Sequence, residues 1–444
     1  MYVYYIYMVS RKRSGLAIHR KAYAYFDNSP IMQLVLVTYD GNTNTSGNVP
    51  IDGSSPYDSG SLITVLGNTG SPVLAKTGYT FAGWNTEANG TGTSYVQGNT
   101  FVINENTTLY AQWNAVPLPA APILSSGVGG NQAVYVLFTQ SGSVSNYEYS
   151  TDNGATYLPL DPAQVYSPVE ITTLSSYGTT PLTNGTTYTV KLKAVASGVS
   201  SLESNSVDII PAVTSLLATN RIIYLDANNS SSYSGSGTTW TNLDSSGAYS
   251  ATLNGAPSFN TVSEPGNKYF AFNPGASTGQ FAQINQAAAI NPVTNQPFTI
   301  QMWVRINNIG LQGSLVSKVF GSPSWDGYAL GYRTDNTLQL HENGSLIYYF
   351  TSSTGVLSNG WALYTANIQF GNGGGRQNKI FVNGRQVMTA TSNDSISSPT
   401  QNLTFPAGFY GEGQCDIGQF YYYNTELSQE DIIRNYDATK SIYL

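Results

Sequence analysis

Aromatic rings set beside carboxylates and amides are the residues of this 444-residue chain best suited to chemistry, and that chemistry is sugar binding. A ring covers the C–H face of a sugar while polar neighbours read its hydroxyls. Trp325-Asp326-Gly327-Tyr328 places two rings and a carboxylate within one turn's length, after Ser322-Pro323-Ser324, which predicts a loop. Trp303 and Arg305 stand two apart on an alternating segment, and Tyr332-Arg333 and Tyr348-Tyr349 add further rings. Trp325, Asp326, Tyr328, Trp303 and Arg305 are therefore the candidate ligand residues; for Trp303, packing within a strand competes with that role.

Catalysis finds less support. Glu412 and Asp416, four apart around Gly413, are the nearest approach to a carboxylate pair. A retaining glycosidase needs two carboxyls about 5 Å apart, and Gly413 predicts a turn between these. The histidines are His19 and His341; the latter is expected at an exposed strand end before Asn343-Gly344. No Ser-His-Asp set, zinc-ligand spacing, phosphate loop or dinucleotide fingerprint is present. The reading is a protein that is not an enzyme.

The elements that must position these residues are strands. Charged residues make up 10% of the chain, against about 25% in ordinary soluble domains, and Gly, Ser, Thr, Asn and 33 tyrosines take their place. Short β-branched and aromatic runs broken by Gly and Asn predict an all-β fold. The net charge of −7 is dispersed, which argues against nucleic-acid binding by the folded modules. Cys415 is the single cysteine, so no intramolecular disulfide can form, and it is expected to be a small buried residue. No apolar run reaches the roughly 18 residues of a membrane span. At the N-terminus the tyrosine-rich Met1–Met8 precedes Arg11-Lys12-Arg13, the reverse of a secretory signal's order. Residues 1–33 read as an N-terminal arm, disordered or docking, or as an extension upstream of the natural start.

Three resemblances organise the rest. Val37-Thr38-Tyr39-Asp40-Gly41-Asn42, Gly78-Tyr79-Thr80-Phe81-Ala82-Gly83-Trp84 and Leu109-Tyr110-Ala111-Gln112-Trp113 resemble the internalin-type B repeat, or Listeria–Bacteroides repeat, which implies a β-grasp-like module over 34–114. A Pro/Ala linker follows over 115–122. In 123–212, Leu182 stands six residues before Tyr188, and Val190, Leu192 and Ala194 alternate with Thr189, Lys191 and Lys193. This resembles a fibronectin type III β-sandwich with its tyrosine corner, and Asn153-Gly154 predicts a hairpin turn. In 213–444, the Tyr224-Leu225-Asp226-Ala227-Asn228 opening and the strand Phe298 to Ile306 come first. The Asn383-Gly384 hairpin and the close from Gly418 to Ile432, with Ser428 capping a short helix, follow. Together they resemble the concanavalin A-like, laminin G-type jelly roll.

These resemblances imply a cell-adhesion or attachment protein, extracellular or on a virion, phage or bacterial surface. A glycan or glycoprotein would be its ligand, taken by the lectin-like domain. The alternative is a structural subunit of a capsid, fibre or filament whose modules serve self-association or contact with other such proteins. Concanavalin A-like domains often hold Ca²⁺ at the rim with Asp and Asn oxygens. The resemblance makes Asp226 and Asn228, with Asp416 or Asp326 converging, the candidate calcium ligands.

Overall fold

The computed structural model describes residues 33–444 apart from 245–247, 262–266, 274–278, 292, 294, 320–326, 344–346, 353–355, 371–375, 393–400 and 408–412. The N-terminal arm expected over 1–33 lies, but for Gln33, outside the described residues. The fold is all-β, with one long helix at the C-terminal end. The chain divides into two compact units, 1–117 with 197–199, and 118–196 with 200–444.

In the first unit the strand Thr107–Ala115 pairs in parallel with Val37–Asp40 and antiparallel with Tyr79–Asn85, which in turn pairs with Ser94–Tyr95. A parallel union of the first and last strands is the β-grasp arrangement, and Trp84 holds it together. Its ring is buried with Tyr39, Ile63, Leu109 and Ala111, at 4.7 Å from the Tyr39 ring. Trp84 Nε1 donates to the Leu66 carbonyl at 2.8 Å, and the Leu66 N–H donates to Tyr39 Oη at 2.8 Å. The buried Asn85 amide donates to Gly90 O, Gly92 O and Ser94 Oγ, and so replaces strand pairing across the turn that follows. Trp113 Nε1 closes the module on the carbonyls of Gly41 and Asn42, both at 3.1 Å.

The second unit begins with a two-sheet sandwich. Val169–Ile171, Ala133–Thr139 and Ile123–Gly130 form one sheet; Leu158–Pro159, Asn146–Ser150, Tyr188–Ala196 and Val207–Ile209 contribute to the other. Val190, Leu192 and Ala194 are fully buried between the sheets while Thr189, Lys191 and Lys193 face outward, the period-2 pattern of a half-wet strand. Asn153 and Gly154 both take positive φ (59° and 92°) at the hairpin between Asn146–Ser150 and Leu158–Pro159. Tyr188 Oη accepts from the Thr183 N–H at 3.0 Å, tying the strand to its entry corner.

Two eight-stranded sheets follow. In the first, Cys415–Tyr423 lies between Phe298–Ile306 and Lys268–Phe272, and Arg221–Asp226 also pairs with it. Gly313–Val319, Gly327–Tyr332 and Leu403–Phe405 belong to the second. Phe298, Ile300, Met302, Val304 and Ile306 point into the core between the sheets. The alternate residues Thr299, Gln301 and Trp303 are fully buried too. Their face is roofed by the helix Gln429–Tyr443, which is far longer than the short helix expected. Ser428 caps it by accepting from the Asp431 N–H at 3.1 Å, and Glu430 and Asp431 occupy the first turn, where the helix dipole favours negative charge. The second sheet carries a fully buried cation: Lys318 donates to the Gln401 carbonyl, and burial pushes its ammonium down to about 8.

The helix also binds the sandwich before it. Val128, Ala133 and Tyr135 share one apolar cluster with Trp303, Tyr421, Ile432 and Tyr436, so residues 118–196 and 200–444 form one compact unit. The helix lies close to its sheet because Gly418 leaves room for it. A Cβ there would stand 2.2 Å from Tyr443 Oη. Gly418→Ala is therefore expected to displace the buried Tyr443 ring and destabilise this unit by about 1–3 kcal/mol, the usual cost of overpacking. A lower urea midpoint for the second unit's transition, with the first unit's transition unchanged, is the outcome to look for; an unchanged midpoint would refute the close-approach argument.

Candidate ligand-binding site

Among the described residues, those singled out in the sequence do not meet at one place. Trp325 and Asp326, and likewise Glu412, lie outside the described residues. Trp303 is corrected: its ring is fully buried beneath the helix, stacked on Tyr443 at 4.7 Å and Tyr436 at 6.0 Å, and Nε1 donates to Thr439 Oγ1 at 2.8 Å. The helix covers the face that strand alternation alone would leave open. Tyr328 is corrected as well, because it points between the two sheets onto Phe298 at 5.0 Å and has no exposed surface. His341, expected at an exposed strand end, is fully buried in Leu338–Asn343. Cys415 is buried, and burial pushes its thiol well above the usual range.

Arg305 stays half-exposed but is committed to a partner. Its Nε donates to Asp416 Oδ2 at 2.9 Å, and its guanidinium lies 5.1 Å from the Tyr269 ring and 5.4 Å from that of Trp361. Burial works against its charge, yet the Asp416 hydrogen bond and charge raise its affinity for the proton. Asn307 Nδ2 donates to the other Asp416 oxygen at 3.0 Å. The described calcium candidates, Asp226, Asn228 and Asp416, do not fit a metal. Asp416 is neutralised by Arg305, and Asp226 is level with Gln419 on the neighbouring strand rather than with Asp416. Asp226 accepts from Tyr224 Oη at 2.9 Å and from the Asn228 N–H at 2.8 Å. Asn228 is spent on Tyr443 Oη and the Lys268 N–H. No group of three or more His, Cys, Asp or Glu side chains is placed to hold a metal among the described residues.

The arrangement that can hold a ligand lies where the sandwich meets the jelly roll. A cavity of about 360 Å³ is lined on one side by Tyr135, Gln164, Tyr166 and Glu170, and on the other by Asn383, Arg385 and Tyr436. The segment 161–168, between Leu158–Pro159 and Val169–Ile171, carries Gln164 and the half-exposed Tyr166. The Gln164 amide is fixed by the Glu170 N–H, which donates to its Oε1 at 3.2 Å. Opposite, Asn383 (φ 51°) and Gly384 (φ 80°) make the tight turn that the Asn-Gly pair predicts. Asn383 Oδ1 accepts from the Leu363 N–H at 2.8 Å, and Gln429 of the helix donates to the Gly384 carbonyl at 3.0 Å. Arg385 follows the turn with its Cζ 3.1 Å from the centre of the Tyr166 ring.

A buried polar cluster fixes this geometry. Asp437, whose side chain is fully buried, accepts from Thr214 Oγ1 at 2.6 Å, the Asn131 N–H at 2.7 Å and Tyr135 Oη at 2.7 Å. Lys440 pairs with Asp437 at 3.0 Å and with Glu170. Burial alone would raise the Asp437 carboxyl, but these hydrogen bonds outweigh it and hold the group below the ordinary carboxylate value. Burial and the two carboxylates push the Tyr135 hydroxyl far above its ordinary range, so it acts as a fixed donor. Sequence reading missed these residues because Tyr135, Glu170, Arg385 and Asp437 come from four separate segments. The Pro-flanked Ala163-Gln164-Val165-Tyr166-Ser167 loop was the one local signal.

Two family models match the chain: the Listeria-Bacteroides repeat domain over residues 36–112, and the concanavalin A-like lectin/glucanases superfamily over residues 277–433. A 78-residue stretch is 45% identical to a protein of Evansella cellulosilytica described as "Putative membrane protein", covering 17% of this chain and 11% of that protein. A second protein of that organism, "Putative Gly-rich membrane protein", is 42% identical over 78 residues, 17% of this chain and 8% of that one. The chain thus matches about a tenth of either relative's length. Among solved structures it is similar to the binding domain of Paraclostridial Mosquitocidal Protein 1, with a TM-score of 0.39 and 14% identity over 49% of this chain and 52% of that one. The binding domain of Botulinum Neurotoxin DC in complex with SialylT gives a TM-score of 0.38 and 17% identity over 50% and 52%.

Asp437→Asn turns an amide N–H₂ toward two donors, Thr214 with the Asn131 N–H or Tyr135 with Lys440, and leaves Lys440 short of a counter-charge. A loss of about 3–5 kcal/mol is expected, as for other broken buried pairs. Because the folded carboxyl titrates below its unfolded value, its contribution is complete above the ordinary value of about 3.9 and is lost as pH falls through the lower folded value. The melting-temperature gap between wild type and Asp437→Asn should therefore be constant near neutrality and shrink below about pH 4. A gap that is constant down to pH 2 would refute the assignment.

Proposed function

We propose that this chain is a non-enzymatic surface protein for attachment, and that its second unit binds a glycan. The observation that carries this reading is the cleft between sandwich and jelly roll. It joins tyrosine rings, amides and a guanidinium around a cavity whose volume falls at the small end of ordinary ligand pockets, about 300–1,000 Å³. The concanavalin A-like match over residues 277–433 supports the same reading. We read the sandwich at 123–212 as fibronectin type III-like, a spacer beside the lectin-like domain; its two-sheet pairing and the Tyr188–Thr183 bond, placed as in a tyrosine corner, support that reading. The Listeria-Bacteroides repeat, and the chain's likeness over 78 residues to proteins described as membrane proteins, favour display on a bacterial or virion surface. Hydrolysis is disfavoured because Asp416 is held as an ion pair by Arg305, with no second carboxylate beside it among the described residues.

The test is glycan-array binding by the full chain, in calcium and in chelator. Binding to a defined glycan class is expected, unchanged by chelator because the Asp and Asn oxygens are already used, and weakened about tenfold, or about 1.4 kcal/mol, by Tyr166→Ala. No binding by folded protein, together with orderly self-association, would overturn this reading in favour of a purely structural subunit.

A further inference from the structure

The charge balance of the cleft narrows the ligand class. This inference rests on the glycan reading and goes further. The carboxylate in the lining, Glu170, is neutralised by Lys440, which also pairs with Asp437. Tyr135 Oη also lies 3.2 Å from Glu170 Oε1, with its one proton given to Asp437 at 2.7 Å. Across the cavity, no carboxylate pairs with Arg385 among the described residues; its one close neighbour is the Tyr166 ring. Lys440 serves both carboxylates, so the cluster as a whole is balanced, but Arg385 is the cation of the lining with no acid beside it among the described residues.

A guanidinium resting on an aromatic face keeps its N–H donors at its edge, in the fork that matches a carboxylate by two parallel hydrogen bonds. The ring also removes water from one face of the cation, which strengthens a pairing made at its edge. We propose that the cleft takes an acidic saccharide, with a sugar carboxylate on Arg385 and neighbouring hydroxyls on Gln164 and Asn383. Burial lowers the Arg385 proton affinity, and the charge and hydrogen bond of Tyr166 restore only part of it. Asn383 suits its part: its Oδ1 is taken by the Leu363 N–H, which fixes the side chain and leaves Nδ2 as a donor. The turn that carries both residues is braced by the helix. A Cβ on Gly384 would stand 2.9 Å from Ile433 Cγ1, and Gln429 holds the Gly384 carbonyl. The pair is therefore presented on a rigid mount.

The experiment prints matched sets of glycans for the full-length protein: each carboxylate-bearing glycan, its methyl ester, its neutral parent and a sulfated analogue. Wild type is expected to bind the free acids at least tenfold more tightly than their esters. Raised salt should reduce that preference, Arg385→Gln should abolish it, and Arg385→Lys should restore part of it. Equal binding of acids and esters would overturn the acidic class while leaving the glycan reading intact. Preference for the sulfated analogues would overturn the carboxylate assignment, and silence across every set would overturn both readings. The acid–ester comparison on wild type stands even where a variant fails to fold.

Discussion

The architecture of the second unit depends on keeping Asp437 charged and dry. A buried carboxylate is tolerable only when its lone pairs are filled, and here the donors come from both sides of an interface: Thr214, the Asn131 N–H and Tyr135 from the sandwich and its exit, Lys440 from the same helix. Separating the two sandwiches would leave Asp437 with Lys440 and remove its three neutral donors, each a bond to a charged group worth about 1.5–3 kcal/mol. The polar cluster supplies orientation more than attraction, since the surrounding Val128, Ala133, Ile432 and Tyr436 would pack in several arrangements but Asp437 meets its donors in one. From that fixed docking follow the buried outer face of the sheet and the cleft beside it.

Much of this was legible where the signal is local. Trp84 and Trp113 fall in the repeat's core and at its close, Asn153-Gly154 and Asn383-Gly384 turn as two positive-φ residues should, and Ser428 caps a helix. These features depend on a few neighbouring residues, which a sequence displays directly. The strand Phe298–Ile306 shows where local reading ends. Its alternation correctly separates two faces, but nothing within it says that the second face lies under a helix more than a hundred residues later. Trp303 was consequently given a ligand role that its burial denies.

The first unit illustrates the opposite regime. Its side-chain bonds, from Trp84 to Leu66 and from Asn85 to Gly90, Gly92 and Ser94, stay within the repeat, so the sequence motif and the packing coincide. A module that satisfies its own buried polar groups can be recognised from a short stretch. The sandwich and jelly roll satisfy theirs across each other, and their shared site is correspondingly hidden from motif reading.

Aromatic abundance is a poor guide to ligand sites in such a chain, and the reason is physical. With so few charged residues, the interior uses tyrosine hydroxyls as its polar links. Tyr423 Oη donates to the Leu217 carbonyl and accepts from Asn435, Tyr443 Oη accepts from Asn228, and Tyr224 Oη donates to Asp226. Tyr421, Tyr422 and Tyr423 are consecutive and all buried, which a sheet covered on both faces permits and a half-wet sheet would not. A ring near a carboxylate is then more often a structural hydrogen bond than a sugar platform, as Tyr224 and Asp226 show. The more discriminating signal is a charge without a counter-charge. Arg221, Arg305, Lys379 and Lys440 each sit against an acid, whereas Lys76, Lys193 and Arg385 lie over rings, and of these three Arg385 is the one that lines the cleft.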